Sequence, residues 1–79
     1  MDAKKFGAFI SERRKKQHMT QADLAGKIGV TDKAVSRWER GLGFPDINTM
    51  EPLATALGVS LLELMKSEII SEEVQMKKD

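Results

Sequence analysis

Four side chains near the middle of the chain can donate hydrogen bonds and recur at helical spacing: Lys33, Ser36, Arg37 and Arg40. A helix over about residues 32–40, with Val35 facing inward, places the three cations on its outward surface and the hydroxyl beside them. Lysine and arginine donate to guanine O6 and N7, and a serine hydroxyl donates or accepts. This predicted helix, the reading helix, therefore has the chemistry to contact base edges in the major groove of duplex DNA.

Asp32 lies in the first turn of the reading helix. In a groove, its carboxylate can accept a hydrogen bond from cytosine N4. The same carboxylate can instead stabilise the positive end of the helix dipole without touching a base. The sequence leaves both interpretations of Asp32 open.

The elements that position this face are two short helices joined by a tight turn. Ala25 and Gly29 mark the crossing, because a small side chain lets two backbones approach and a glycine adopts the positive φ of the turn. Thr20 and Thr31 precede the two helices as N-caps. Four side chains form the apolar seam between them: Leu24, Ile28, Val35 and Trp38.

Hydrophobic periodicity and capping signals predict an all-α fold of five helices with no strand. The predicted helices cover about residues 2–17, 21–28, 32–40 and 48–57, followed by a short helix after Ser60. Asn48 with Glu51, and Ser60 with Glu63, have the spacing of a capping box at the last two helix starts.

Six short motifs occur in the order and spacing of a known family: Thr20-Gln21, Ala25, Gly29, Trp38-Glu39-Arg40-Gly41, Pro45-Asp46-Ile47 and Leu57-Gly58-Val59-Ser60. Through them the chain resembles the Xre family of helix-turn-helix domains found in phage repressors and Cro proteins. The resemblance implies a compact five-helix, lambda-repressor-like DNA-binding domain over residues 1–66. Residues 67–79 would then be a C-terminal tail, a linker or a short oligomerisation helix.

The resemblance also implies roles for individual residues. The family's base-reading positions fall on Asp32, Lys33, Ser36 and Arg37. Its phosphate-contacting position at the start of the second helix falls on Gln21. Further phosphate candidates are Arg40, Gly41 and Gly43.

Two other family features concern the ends of the reading helix. Arg14 and Glu39 fall where the family commonly forms a partly buried salt bridge between the first helix and the reading helix. We favour this pairing over the alternative that Arg14 contacts a phosphate. Many relatives also carry a basic residue where this chain has Leu42, so the loop is expected to contact DNA through main-chain atoms or not at all.

Composition narrows the classes of function. The 79 residues include no cysteine and one histidine, so a disulfide framework and a cysteine-based zinc site are excluded, and we expect no metal or cofactor. A catalytic triad could be drawn only from exposed caps and loops, so an enzyme is not expected. The sequence has no apolar run of about 18 residues and no signal-peptide pattern, which favours a cytoplasmic protein without a membrane span.

Charge divides along the chain. Residues 1–41 carry ten basic and five acidic side chains, a net +5, whereas residues 42–79 carry three basic and seven acidic ones, a net −4. A basic half that contains the reading helix fits an oriented surface for a polyanion. Ordinary solvated charge is the alternative interpretation of this pattern.

Two classes of function follow from the sequence. The first is a sequence-specific transcriptional regulator, a repressor that binds double-stranded DNA as a homodimer; an antitoxin component falls within the same class. The second is a protein-interaction or coactivator module on the same fold. The charged outward face favours the first class, because it suits an apolar protein interface poorly.

The predicted fifth helix carries more apolar residues than one buried stripe requires: Leu61, Leu62, Leu64 and Met65. A weak amphipathic pattern continues into the tail at Ile69, Ile70, Val74 and Met76. We therefore expect the fifth helix and the following segment to form the dimer contact. The alternative is that residues 67–79 are a linker toward a further domain.

Overall fold

The computed structural model describes residues 1–70 of the chain. They form α1 (Ala3–Lys16), α2 (Gln21–Ile28), α3 (Asp32–Glu39), α4 (Ile47–Leu57) and α5 (Leu61–Lys66). The predicted all-α architecture is confirmed, and the described part of the chain contains no strand. Among these five helices, none is long and apolar enough to cross a membrane. The predicted continuation of the apolar pattern at Val74 and Met76 lies outside the described residues.

Most helices begin at the side chains that the capping signals predict. Thr20, Thr31 and Ser60 are the N-caps of α2, α3 and α5, and α2 and α5 have complete capping boxes. α1 has Asp2 as its N-cap and so begins one residue later than predicted. α3 ends one residue earlier than predicted, with Arg40 as its C-cap.

The predicted start of α4 is wrong. Asp46, not Asn48, is the N-cap, and its Oδ1 accepts from the Thr49 N–H at 2.9 Å and from the Thr49 hydroxyl at 2.5 Å. Aspartate and asparagine cap helices about equally well, and here the earlier residue prevails because one carboxylate oxygen satisfies two donors of Thr49. Pro52 consequently lies in the second turn of α4, where it is exposed.

All five helices contribute to a single hydrophobic core. Its buried apolar members are Phe6, Phe9, Ile10, Leu24, Ala25, Val35, Trp38, Met50, Leu53, Ala54, Leu57 and Leu64. The predicted seam between α2 and α3 is part of it, with Ile28 partly buried against the cluster. The turn between these helices passes through Gly29 at φ 73°, a conformation that glycine adopts without strain. Because Val35 and Trp38 belong to this core, the inner side of α3 is fixed against the other helices.

The approach of α1 to α3 depends on Gly7, a residue outside the sequence motifs. Gly7 is buried, and a Cβ placed on it would overlap the carbonyl oxygen of Trp38 and lie 2.7 Å from that of Glu39. Both carbonyls belong to the last turn of α3. Direct backbone contact with α1 therefore fixes the C-terminal end of α3.

Candidate nucleic-acid interface

The inner side of α3 is anchored in the core and its opposite side is open. Val35 is fully buried and Trp38 is 7% exposed, so the interpretation of Trp38 as a core residue is confirmed. The open side, here called the outer face of α3, consists of Asp32, Lys33, Ser36 and Arg37. Ser36 is half-buried, and the other three residues are exposed. The four residues predicted to read bases thus share one accessible surface.

The two arginines at the end of α3 lie along the backbone. Arg40 Nε donates to the Ser36 carbonyl oxygen at 3.3 Å, and Arg37 Nη2 donates to the Leu42 carbonyl oxygen at 3.5 Å. Both side chains are exposed, and a guanidinium has five N–H donors. Each arginine therefore keeps several donors for an external acceptor.

The loop after α3 is packed against α1. Gly41 has φ 76°, and its N–H donates to the Trp38 carbonyl oxygen at 3.0 Å. A Cβ on Gly41 would lie 3.0 Å from Cγ of Lys4, so both its conformation and its surroundings favour glycine. Gly43 lies beside Arg37, whose Nη2 would be 3.6 Å from a Cβ on Gly43. The predicted phosphate positions in this loop therefore adjoin the outer face of α3.

Arg14 and Glu39 form a bidentate ion pair between α1 and α3. Arg14 Nε lies 2.7 Å from Glu39 Oε2, and Arg14 Nη2 lies 3.0 Å from Glu39 Oε1. The two side chains are only 12% and 8% exposed. Arg14 Nη1 donates to the Met19 carbonyl oxygen at 2.8 Å. All three guanidinium nitrogens are thus engaged within the protein, which argues against Arg14 as a phosphate contact.

Gln21 joins this ion pair as a third partner. Its Nε2 donates to Glu39 Oε1 at 3.0 Å. Glu39 therefore connects α1, the first residue of α2 and the end of α3 through one carboxylate. No local spacing in the sequence predicts this hydrogen bond, because it depends on how the three helices cross.

The surroundings of the pair keep both partners ionised. Burial alone would raise the pKa of Glu39, but the hydrogen bonds from Arg14 and Gln21, with the charge of Arg14, hold that pKa below its ordinary value. The hydrogen bond to Glu39 raises the pKa of Arg14 against the opposing effect of burial. The network is therefore a charged structural element beneath the candidate interface.

The chain belongs to the helix-turn-helix family, as an Xre-like domain: the family model matches residues 10–64. The ImmF control region 10 kDa protein of Bacillus phage phi105 is 32% identical over 69 residues, which cover 87% of this chain and 77% of the relative. The crystal structure of the P22 c2 repressor with a synthetic operator superposes with a TM-score of 0.76 at 36% identity, covering 80% of this chain and 96% of that one. The whole repressor of Salmonella phage P22 is longer, and this chain spans 34% of it.

A similar fold also occurs in a protein of another class. Hydroxypropylphosphonic acid epoxidase from S. wedmorenis superposes with a TM-score of 0.72 at 30% identity, but the match covers 80% of this chain and only 34% of the epoxidase. One fold can host unrelated functions. The function of this chain therefore depends on its own side chains and not on the fold alone.

Proposed function

We propose that the protein is a sequence-specific regulator of transcription, a repressor that inserts α3 into the major groove of double-stranded DNA. The observation that carries the proposal is the outer face of α3: Lys33 and Arg37 are exposed there while the opposite side of the same helix is buried. An anchored helix with exposed hydrogen-bond donors is suited to reading base edges. The matched P22 c2 repressor was solved in complex with a synthetic operator, which supports DNA binding by this fold.

Within this proposal, Lys33, Ser36 and Arg37 read bases, and Asp32 either accepts from cytosine or supports the helix dipole. Gln21 contacts a phosphate at the N-terminus of α2, where backbone N–H groups and the helix dipole favour an anion. Glu39 accepts from the amide nitrogen of Gln21, and that nitrogen carries a second N–H for the phosphate. The other proposed phosphate contacts are Arg40, Gly41 and Gly43.

We further propose that two copies bind together through α5. Leu61, Leu62 and Met65 are 39%, 54% and 45% exposed, which makes one side of this short helix apolar and accessible. A two-fold dimer places two reading helices in successive major grooves, about 34 Å apart. The relatives of this chain include two phage repressors, so we propose no catalytic role for it. We place it in the cytoplasm, where such regulators meet DNA.

The first prediction concerns the DNA itself. An unbiased selection of duplexes by the purified chain is expected to enrich an inverted repeat whose half-sites lie about one helical turn apart. Affinity for that site should fall with salt, at a slope of about −0.9 in log K against log salt for each neutralised phosphate. An affinity that does not depend on salt concentration, or the absence of any preferred duplex, would contradict the proposed function. A preferred site without two-fold symmetry would contradict only the dimer.

The second prediction distinguishes the recognition of bases by Arg37 from the stability of the fold. Arg37→Ala is expected to weaken binding to the selected site by about 1–3 kcal/mol and to relax the preference at one base pair. The melting temperature should change little, because Arg37 is exposed and its hydrogen bond to Leu42 is long. Lys27→Ala is the matched control. It also removes one positive charge, but Lys27 lies on α2 beside Glu51 and Thr55 of α4 and is not part of the outer face of α3. Equal losses of specificity in both variants would contradict the role of Arg37.

A further inference from the structure

Glu63 is a buried carboxylate that bonds to two distant points of the backbone. The residue is 6% exposed. Its Oε1 accepts from the Ser60 N–H at the start of α5, and its Oε2 accepts from the Ile70 N–H beyond the end of α5, both at 2.9 Å. One side chain thus connects the beginning of the helix with the chain that leaves it.

The segment 67–70 is held at further points. Ser67 has φ 57° and ends α5, and the Glu68 N–H donates to the Glu63 carbonyl oxygen at 3.1 Å. The Glu68 carboxylate lies 3.4 Å from Nζ of Lys5 on α1. Ile69 is partly buried against the core. The chain leaving α5 therefore folds back toward the first turns of α1.

A comparison with α2 shows that capping alone does not require this arrangement. α2 has the same capping box, in which Asp23 Oδ2 accepts from the Thr20 N–H at 2.9 Å. Asp23 is exposed, so the shorter side chain caps its helix from the surface. Burying a carboxylate is costly unless hydrogen bonds compensate it. The hydrogen bond from Ile70 is a compensation that the capping function of Glu63 does not explain.

We propose that Glu63 is a clasp that fixes the path of the chain as it leaves α5, holding residues 67–70 against α1. The clasp lies on the buried side of α5, where Glu63 and Leu64 are enclosed. The apolar side of α5 formed by Leu61, Leu62 and Met65 consequently remains uncovered by this segment. The proposal goes beyond DNA binding, because it concerns the free chain.

The test is Glu63→Asp, followed by amide hydrogen exchange in the absence of DNA. Aspartate can still accept from the Ser60 N–H, as Asp23 accepts from the Thr20 N–H. Its side chain is one methylene shorter, however, so it cannot also reach the Ile70 N–H. Loss of a hydrogen bond to a charged acceptor is expected to speed exchange at the Ile70 amide by about tenfold or more, while the Ser60 amide changes by less than about twofold. Unchanged exchange at Ile70 would overturn the proposal.

Ser60→Ala is the control for simple fraying of α5. It removes the hydroxyl that accepts from the Glu63 N–H and leaves the carboxylate in place. Exchange at Ile70 should then stay close to that of the parent chain. If Ser60→Ala speeds exchange at Ile70 as much as Glu63→Asp does, that exchange reports only the stability of α5, and the proposed role of Glu63 is wrong. Neither measurement depends on the proposed DNA binding.

Discussion

Gly7→Ala is expected to destabilise the fold by about 3 kcal/mol or more, at or above the upper end of the usual cost of overpacking. The added methyl group would overlap the Trp38 carbonyl oxygen and press on that of Glu39. These are backbone atoms of α3, so relief requires α1 to move away from the helix. Helix propensity alone gives the opposite sign, because alanine is favoured over glycine by about 1 kcal/mol within a helix.

Equilibrium denaturation by urea measures this change, and Gly26→Ala is its matched control. Gly26 lies within α2 and is exposed, and a Cβ placed on it would have no atom within 4 Å apart from its chain neighbours and the backbone of its own helix. Its replacement should stabilise the chain by about 0.5–1 kcal/mol through propensity. If Gly7→Ala is as stable as the parent, the close contact between α1 and α3 is not present in solution.

Glu39→Ala is expected to cost about 3–5 kcal/mol, because it leaves the cation of Arg14 buried without its counter-charge. Arg14 is 12% exposed, so water cannot fully replace the carboxylate. Gln21 loses its acceptor in the same variant. Thermal and urea denaturation would measure the loss. A variant as stable as the parent would show that the ion pair is unimportant to the fold.

The double variant Arg14→Met with Glu39→Leu is the corresponding control. Replacing both members of a buried pair by apolar residues is often neutral or stabilising, so most of the lost stability should return. If the double variant is as unstable as Glu39→Ala, the loss comes from packing and not from the stranded charge.

The same pair has a consequence for pH. The pKa of Glu39 is lowered in the fold, so its contribution to stability is complete above the ordinary pKa of a glutamate, about 4.3, and is lost as the pH falls through the lowered value. The parent should therefore lose this part of its stability in acid. Glu39→Gln should lack the corresponding acid-dependent loss.

The local features of the fold could be predicted from the sequence, because they depend on neighbouring residues. Thr20, Thr31 and Ser60 cap helices through contacts three residues away, and Gly29 supplies a positive φ at one position. The start of α4 was predicted wrongly because Asp46 and Asn48 are both competent caps. The two hydrogen bonds that Asp46 accepts from Thr49 decide between them, and they are visible only in the fold.

The features of the site that could not be predicted from the sequence depend on how the helices cross. From the sequence alone, Gly7 would be expected only to destabilise α1, because glycine is unfavourable within a helix. Its role in the packing of α1 becomes visible only in the fold, where the carbonyls of α3 lie against it. Gln21 and Glu39 are 18 residues apart, and their bond requires three helices to be in place. The family resemblance supplied the pairing of Arg14 with Glu39, which composition and periodicity alone could not. The base-reading roles of the outer face remain predictions for binding experiments.

The salt bridge between Lys5 and Glu68, at 3.4 Å, has an architectural consequence. It places the start of α1 beside the segment that follows α5, at one edge of the described fold. Domains whose ends are adjacent tolerate circular permutation and insertion into other proteins. The described fold therefore has the geometry for insertion into a surface loop of a host protein, with the junction close to the loop after α3, where Lys4 contacts Gly41.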